Sequence, residues 1–436
     1  MNRIRYPMKI GWYSELSSVE KRSWFASLGG YVLDAFDSTI FSLSMPILLS
    51  IGFLVKSEAG VLSSVSLIGS ALGGWSAGLL ADRFGRIKIM KLTVIWLTVF
   101  TMLTAFCNSY WEFFALRFFQ GLGYGGEMIV SGVLISEVIR SSLRGRVAST
   151  IQSGYAVGNA LSLAVLPVVL AYYPPESAWR ILFTLGVIPA IIVWWIRQKT
   201  PESSVYLGGK KDAGKAKSST IKIIFGHSYR RITITATILS TGIFGGAYVM
   251  ITWLPTYLRL SLGLPVTSMS GYLFVNILGS LMGPFICGYI SDKLGRWKTI
   301  MLFLLLQTGV VSVYMFMSVN LNITLVLGYF LGALQGGLAS STMPAFSELY
   351  PTSMRGGGAG FCASFGRGFG SLMPAAVGFL TAYIPLGIAM GSLAIASYAI
   401  AFIASLTLPD VTGADLNSVS QQRPVAEKNR QQLEIK

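Results

Sequence analysis

The chain alternates between long apolar runs and short polar breaks. Each run holds about 20 residues or more, enough to cross the roughly 30 Å hydrocarbon core of a bilayer as a helix. The pattern therefore predicts an all-α integral membrane protein with twelve transmembrane helices. The runs cover 24–51, 59–81, 88–107, 109–136, 146–171, 179–197, 230–258, 266–291, 298–319, 323–348, 357–383 and 386–408.

The longest polar break divides these helices into two equal groups. The first run is preceded by about 23 polar and basic residues and is too long for the core of a cleavable signal, so we expect it to be the first membrane helix. The predicted segments are an N-terminal segment at 1–23, a six-helix half at 24–197, a linker at 198–229, a second six-helix half at 230–408 and a tail at 409–436.

Composition narrows the class of protein. Hydrophobic residues make up 53% of the chain and charged residues 12%, whereas about 25% of residues are charged in an average soluble protein. A soluble enzyme is therefore excluded. One histidine and three cysteines within apolar runs give no metal site, no cofactor site and no disulfide framework.

The net charge of +16 would suggest a nucleic-acid partner in a soluble protein. Here the basic residues concentrate on one side of the predicted helices, since the breaks on the other side carry only Lys56, Arg180 and Arg259. The positive-inside rule then places both termini and the linker in the cytoplasm. We expect a multi-pass protein of the cytoplasmic membrane whose basic loops face anionic lipid, with no nucleic-acid partner.

Two loop motifs recur in register. Gly-Leu-Leu-Ala-Asp-Arg-Phe-Gly-Arg at 78–86 matches Gly-Tyr-Ile-Ser-Asp-Lys-Leu-Gly-Arg at 288–296, and the segment 136–145 matches 347–356. One offset of about 210 residues fits both pairs, which indicates two homologous six-helix halves. Transporters built from two such halves hold their substrate between them near the middle of the membrane.

These motifs resemble the major facilitator superfamily over nearly the whole chain. The run Arg117–Glu127 is similar to the helix 4 motif of that family, and Pro201-Glu202-Ser203 is similar to the signature of its sugar-porter branch. Asp34-Ala-Phe-Asp37 resembles the Asp-Gly-Phe-Asp motif of its organic-acid proton symporters, of both the aromatic-acid and the sialate/lactate groups. The resemblance implies a monomer that works by alternating access and takes up a small organic acid with protons.

Paired acids lie at membrane depth in the first helix. Asp34 and Asp37 are three residues apart and share one helix face. A carboxylate at such a depth costs about 2.5–3.5 kcal/mol or more and indicates function. We expect both residues, together with Glu127 of the fourth helix, to carry protons; the alternative is a structural hydrogen bond or a static ion pair between helices.

Two arginines at membrane depth are candidates for substrate binding. Arg117 lies at a depth similar to that of Asp37, so a reversible pair between them is expected. Arg367 of the eleventh helix has no acid at its depth in the second half, and its planar guanidinium suits a substrate carboxylate; the alternative is a bond to backbone carbonyls. Aromatic residues that could stack on a substrate ring are Tyr31, Tyr124, Trp253 and Tyr257.

Charged residues at the ends of the repeated motifs predict a gate. Acids recur with basic residues at matching places in both halves, which favours ion pairs across helix ends over charges that only set the topology. The predicted gate residues are Asp82, Arg86, Glu137, Arg144, Asp292, Arg296, Glu348 and Arg355.

Three other functions compete with organic-acid uptake. The sugar-porter-like Pro201-Glu202-Ser203 favours a proton symporter of a sugar or polyol. Proton-driven drug efflux is disfavoured because the fifth helix, around Gln152–Asn159, lacks the Gly-Pro pair of efflux members. A nutrient sensor would need a cytoplasmic output domain, for which the tail is too short.

Overall fold

The computed structural model describes residues 12–202, 224–317, 320–350 and 355–408. Every regular element in these ranges is a helix, and a short helix, Trp12–Glu15, precedes the bundle. The bundle helices are α1 (Ser18–Ser50), α2 (Lys56–Phe84), α3 (Arg86–Thr104), α4 (Tyr110–Val138), α5 (Ser141–Tyr172), α6 (Pro175–Leu185 and Val187–Gln198), α7 (His227–Thr256, prolonged by a π-helical turn, Tyr257–Ser261), α8 (Val266–Leu294), α9 (Arg296–Phe316), α10 (Leu321–Glu348), α11 (Arg355–Gly370 and Met373–Leu380) and α12 (Leu386–Leu406).

The twelve helices confirm the predicted all-α membrane fold. Ten of them are long and apolar enough, by length and composition alone, to cross a membrane. The other two are α4 and α11, which carry Arg117, Glu127 and Arg367. Most of the predicted linker and the whole tail, at 203–223 and 409–436, lie outside the described residues.

Two helices predicted to be continuous are broken. The sixth is interrupted at Gly186 and the eleventh at 371–372. Pro374 takes a first-turn position of the second part of α11. A proline there has no N–H to donate and its ring would clash with a preceding carbonyl inside a helix, which explains why α11 restarts just before it.

The repeated loop motif is a one-residue joint in both halves. Gly85 separates α2 from α3 with φ of 106°, and Gly295 separates α8 from α9 with φ of 88°. Side chains other than glycine rarely adopt such angles. The two halves therefore turn the chain with the same device at equivalent places, as the repeat predicts.

The two halves meet through the helix pairs α1–α7, α2–α11 and α5–α8. The end of the bundle at which α2 starts is called the outer end, because the positive-inside rule assigns it to the outer side of the membrane. There, a Cβ at Gly60 would lie 2.5 Å from the Pro374 carbonyl oxygen, and a Cβ at Gly378 would lie 2.6 Å from that of Lys56. The Ala375 amide also donates to Ser64 Oγ at 3.0 Å. Backbone contact between α2 and α11 closes the outer end.

Gly60→Trp should prevent this closure, because the indole has no space between α2 and α11. We expect transport to stop, and a cysteine placed at Ser64 to react faster with a membrane-impermeant maleimide. Gly271→Trp is the matched control, since a Cβ at Gly271 of α8 meets no atom within 4 Å. Equal labelling and equal transport in the two variants would contradict the assignment of this contact to closure.

Candidate substrate and proton site

Four tyrosines from four helices lie together between the two halves. This tyrosine cluster consists of Tyr31 of α1, Tyr124 of α4, Tyr155 of α5 and Tyr248 of α7. The hydroxyls of Tyr124 and Tyr155 are 2.5 Å apart, and Tyr248 interacts electrostatically with Tyr155. The sequence predicted Tyr31 and Tyr124 as substrate residues, and the structure brings both into one cluster.

Arg367 of α11 lies beside this cluster. Its guanidinium stands 4.5 Å from the ring centre of Phe244, and Nη1 is 3.2 Å from Met128 Sδ of the other half. It interacts electrostatically with three hydroxyls of the tyrosine cluster. Its Nε is buried and has no hydrogen-bond partner within the described ranges. In the described part of the chain no carboxylate forms an ion pair with it.

Asp34 of α1 also lies near this cluster. Only 2% of its surface is exposed, and its buried Oδ1 has no hydrogen-bond partner among the residues that the structure describes. It interacts electrostatically with Tyr31, Tyr124 and Tyr155. A carboxyl group of the first half and a guanidinium of the second half therefore both lie near the cluster.

Asp37 has a different environment from Asp34. It accepts hydrogen bonds from Thr101 Oγ1 at 2.6 Å and from Gln120 Nε2 at 2.8 and 2.7 Å. Gln120 Oε1 in turn accepts from Arg117 Nη1 at 2.6 Å, and the Arg117 guanidinium stands 4.1 Å from the Phe41 ring centre. The expected direct pair of Asp37 and Arg117 is thus bridged by the amide of Gln120.

Glu127 is held by a partner that the sequence did not reveal. It forms an ion pair with Arg197 of α6, and both side chains are fully buried. Thr93 Oγ1 and Ser131 Oγ also donate to the carboxylate, at 3.0 and 2.7 Å. Every oxygen of Glu127 is therefore hydrogen-bonded, unlike those of Asp34.

The first helix packs directly on this ion pair at Gly30. A Cβ there would lie 2.0 Å from a carboxylate oxygen of Glu127 and 2.5 Å from a guanidinium nitrogen of Arg197. Arg197 Nη2 also donates to the Ala26 carbonyl of α1 at 3.2 Å. Since Gly30 precedes Asp34 by one helical turn, the pair supports the backbone that carries Asp34.

Ion pairs join helix ends at the other end of the bundle, where α2 ends. Arg86 pairs with Glu137 in the first half and Arg296 with Glu348 in the second, each at 2.8 Å. Glu202 accepts hydrogen bonds from the amides of Arg86 and Ile87 at 2.9 and 3.1 Å, where its charge stabilises the start of α3. Four further predicted gate side chains lie outside the described ones, namely those of Asp82, Arg144, Asp292 and Arg355.

The two remaining aromatic candidates lie nearer the outer end. Trp253 is fully buried and its indole N–H donates to the Pro374 carbonyl at 3.1 Å. The Tyr257 ring packs against that of Tyr314, with ring centres 6.4 Å apart. The structure therefore places both beside α11 and α9 instead of bringing them to the tyrosine cluster.

A second polar region lies next to the tyrosine cluster, which we call the amide cavity. It has a volume of about 70 Å³, room for a few water molecules or one end of a small molecule. Its polar lining comes from Thr39, Ser42 and Asn159 of the first half and from Asn276 and Gln335 of the second, and apolar side chains form the rest. Each of these five groups is uncharged.

The fold and the motifs agree with comparisons to known proteins. The sequence profile of the Major Facilitator Superfamily matches residues 28–374, so the chain belongs to that family. It is a membrane transporter and not an enzyme.

Individual relatives cover nearly the whole chain. The probable 4-methylmuconolactone transporter of Cupriavidus pinatubonensis is 35% identical over 412 residues, which is 94% of this chain and 96% of the relative. The cis,cis-muconate transport protein of Acinetobacter baylyi is 28% identical and covers 82% of this chain and 86% of its own length. An inward-open structure of the E. coli xylose transporter shares the fold, with a TM-score of 0.73 at 19% identity over 91% of this chain and 98% of that one.

Several site residues lacked a clear sequence signal. Tyr155 lies in a polar stretch of the fifth helix, a pattern that could have marked it. Gln120 follows Arg117 by three residues on one helix face, so a contact between them was foreseeable. Arg197 gave no signal, because a basic residue at the cytoplasmic end of a membrane helix is what the positive-inside rule leads one to expect.

Proposed function

We propose that the protein takes up a small organic acid together with protons across the cytoplasmic membrane by alternating access. One observation carries the proposal. Among the described residues, Arg367 Nε of the second half and Asp34 Oδ1 of the first half are buried without a hydrogen-bond partner, and both side chains interact with Tyr31 and Tyr155 of the tyrosine cluster. A substrate carboxylate and a proton are the two ligands that such a pair of groups can bind.

The substrate carboxylate binds the guanidinium of Arg367. Its planar fork can donate two parallel hydrogen bonds, and the neighbouring tyrosine hydroxyls supply further donors. Phe244 stacks on the guanidinium and holds it in place. Because no described acid forms an ion pair with Arg367, the anion balances its charge without first breaking such a pair.

The proton binds Asp34. A buried carboxylate without a hydrogen bond is costly in a membrane protein, and its protonated form costs much less because it carries no charge. Asp37 is stabilised by Thr101, Gln120 and the nearby Arg117, and supports the proton site from one turn further along α1. Glu127 serves as the fixed counter-ion of Arg197 beneath it. Arg117 acts through Gln120 on Asp37 and makes no contact with the substrate.

The relatives support an organic acid as the substrate. By their names, one is a probable 4-methylmuconolactone transporter and another transports cis,cis-muconate, and the second name is that of a carboxylate. The xylose transporter supports the fold alone. A sugar remains the second candidate, since the uncharged amide cavity could donate and accept hydrogen bonds with hydroxyls; a sugar would however leave Arg367 without an anion.

Alternating access follows from the two ends of the bundle. Contact of α2 and α11 at the outer end supports the proposal that this state opens toward the cytoplasm. We propose that the Arg86–Glu137 and Arg296–Glu348 pairs, each within one half, hold the helix ends that form the gate at the cytoplasmic end. We propose that the protein works as a monomer surrounded by lipid, with both termini in the cytoplasm.

Arg367→Lys tests the proposal because it keeps the charge and loses the planar fork. We expect affinity for the transported acid to fall by about 30-fold or more, since breaking a buried charged hydrogen bond costs about 2–5 kcal/mol. The measurement is the Michaelis constant of uptake in proteoliposomes. The control is Arg259→Lys, which makes the same change near the outer end, where Arg259 donates to the Leu264 carbonyl. This variant should leave the Michaelis constant unchanged. An unchanged Michaelis constant in Arg367→Lys would favour the sugar instead.

A further inference from the structure

We infer that the amide cavity is a second substrate subsite, which binds an uncharged polar group at the end of the substrate opposite its carboxylate. The inference rests on the proposed function, because it takes the carboxylate bound at Arg367 as the fixed end. The substrate class that follows is a small monocarboxylic acid with a distal hydroxyl, carbonyl or ester oxygen.

Unused hydrogen-bonding groups line the cavity from both halves. Thr39 donates to Asn159 Oδ1 at 2.6 Å, so the Asn159 amide nitrogen keeps both of its N–H donors. Asn276 Nδ2 donates to the Gly328 carbonyl at 2.9 Å, which leaves Asn276 Oδ1 as an acceptor. Gln335 lines the cavity, and among the described residues its side chain makes no hydrogen bond.

The cavity lies about one helical turn beyond the tyrosine cluster. Asn159 follows Tyr155 by four residues on α5, a rise of about 6 Å along the helix. Thr39 likewise follows Ser38, whose hydroxyl is 3.5 Å from that of Tyr155. A rise of about 6 Å is close to the distance across a substituted six-membered ring. One substrate of that size can contact the tyrosine cluster and the amide cavity together.

The chemistry of the lining disfavours a second carboxylate. The side chains that line the amide cavity include no cation, and apart from Ser42 its remaining walls are apolar, including Met250, Leu254 and Ile277. A carboxylate moved from water into such surroundings loses hydration that amides do not replace. Hydroxyl and carbonyl groups lose less and can form hydrogen bonds with Asn159 and Gln335. The subsite therefore selects monocarboxylates with a polar end over dicarboxylates.

The contacts also link binding to the conformational change. Asn159 belongs to the first half and Gln335 to the second, so a polar group bound between them joins the halves. An acid without that group binds only at Arg367 and the tyrosine cluster. The distal group therefore contributes to affinity and to the closed arrangement of the two halves.

Gln335→Met tests the subsite, because methionine has a similar size and shape and forms no comparable hydrogen bond. The ligands are two matched pairs, 4-hydroxybenzoate with benzoate and 5-oxohexanoate with hexanoate, with terephthalate as the dicarboxylate. Dissociation constants are measured by calorimetry on the purified full-length protein. Wild type should prefer the polar member of at least one pair by about tenfold, roughly one good hydrogen bond.

In Gln335→Met this preference should fall to about threefold or less, while the affinity for the unsubstituted acid stays the same. Gln307→Met is the matched control, because Gln307 of α9 is buried near Tyr398 and away from the cavity; it should keep the preference. Equal loss for both members of a pair, an unchanged preference, or tight binding of terephthalate would overturn the subsite. If wild type binds none of the monocarboxylates, the carboxylate site at Arg367 fails, and with it the proposed function.

Discussion

Arg197→Ala should destabilise the protein severely, far more than the loss of an exposed ion pair would. The substitution leaves the Glu127 carboxylate buried without its counter-ion, and removing one partner of a buried ion pair costs about 3–5 kcal/mol. The same guanidinium also bonds carbonyls of α1 and α3, so three helices lose a common partner. We expect a large drop in yield and in the melting temperature of the purified protein.

Two further variants separate charge from packing. Glu127→Gln combined with Arg197→Met removes both charges and keeps the volume, so it should recover most of the lost stability. Arg296→Ala breaks the pair with Glu348, in which the arginine side chain is 38% exposed, and should cost no more than about 1 kcal/mol. A melting temperature for Arg197→Ala equal to that of Arg296→Ala would show that the buried pair does not hold the helices together.

The architecture could be predicted from the sequence because its signals are long and repeated. Apolar runs of membrane length gave the twelve helices, and the loop motifs gave the two halves. Gly85 and Gly295 adopt the same unusual φ angles, which confirms the repeat at the level of the backbone. The breaks in α6 and α11 were missed, because Gly186 and Pro374 lie inside runs that are long and mostly apolar.

The candidate site was only partly predictable. Charged residues at membrane depth identified Asp34, Asp37, Arg117 and Arg367 as candidates, since their cost there demands an explanation. Which of them have partners depends on residues far apart in the chain, and periodicity along one helix does not contain that information. Gln120 and Arg197 show the consequence, since one bridges Asp37 to Arg117 and the other neutralises Glu127. The structure thereby distinguishes Asp34 from Asp37, Arg117 and Glu127, whose charged groups all have hydrogen-bond partners.

Asp34→Asn should abolish accumulation of the substrate against its gradient. Asparagine fits the site and accepts no proton, so the energy of the proton gradient no longer reaches the substrate. One proton moved across a difference of one pH unit provides about 1.4 kcal/mol, or about tenfold accumulation of the acid. In proteoliposomes with an imposed pH difference, wild type should reach that ratio and Asp34→Asn should only equilibrate.

Exchange of labelled for unlabelled substrate should continue in Asp34→Asn, because the carboxylate site at Arg367 is intact. This distinguishes a lost proton site from a protein that no longer binds or moves its substrate. Asp37→Asn is the matched comparison. Its amide can still accept from Thr101 but loses the attraction of Arg117, so we expect weaker accumulation than in wild type and more than in Asp34→Asn. If Asp34→Asn accumulates substrate as wild type does while Asp37→Asn does not, the proton is carried by Asp37. In that case Thr101 and Gln120 donate hydrogen bonds only to the ionised carboxylate of Asp37 and not to its protonated form.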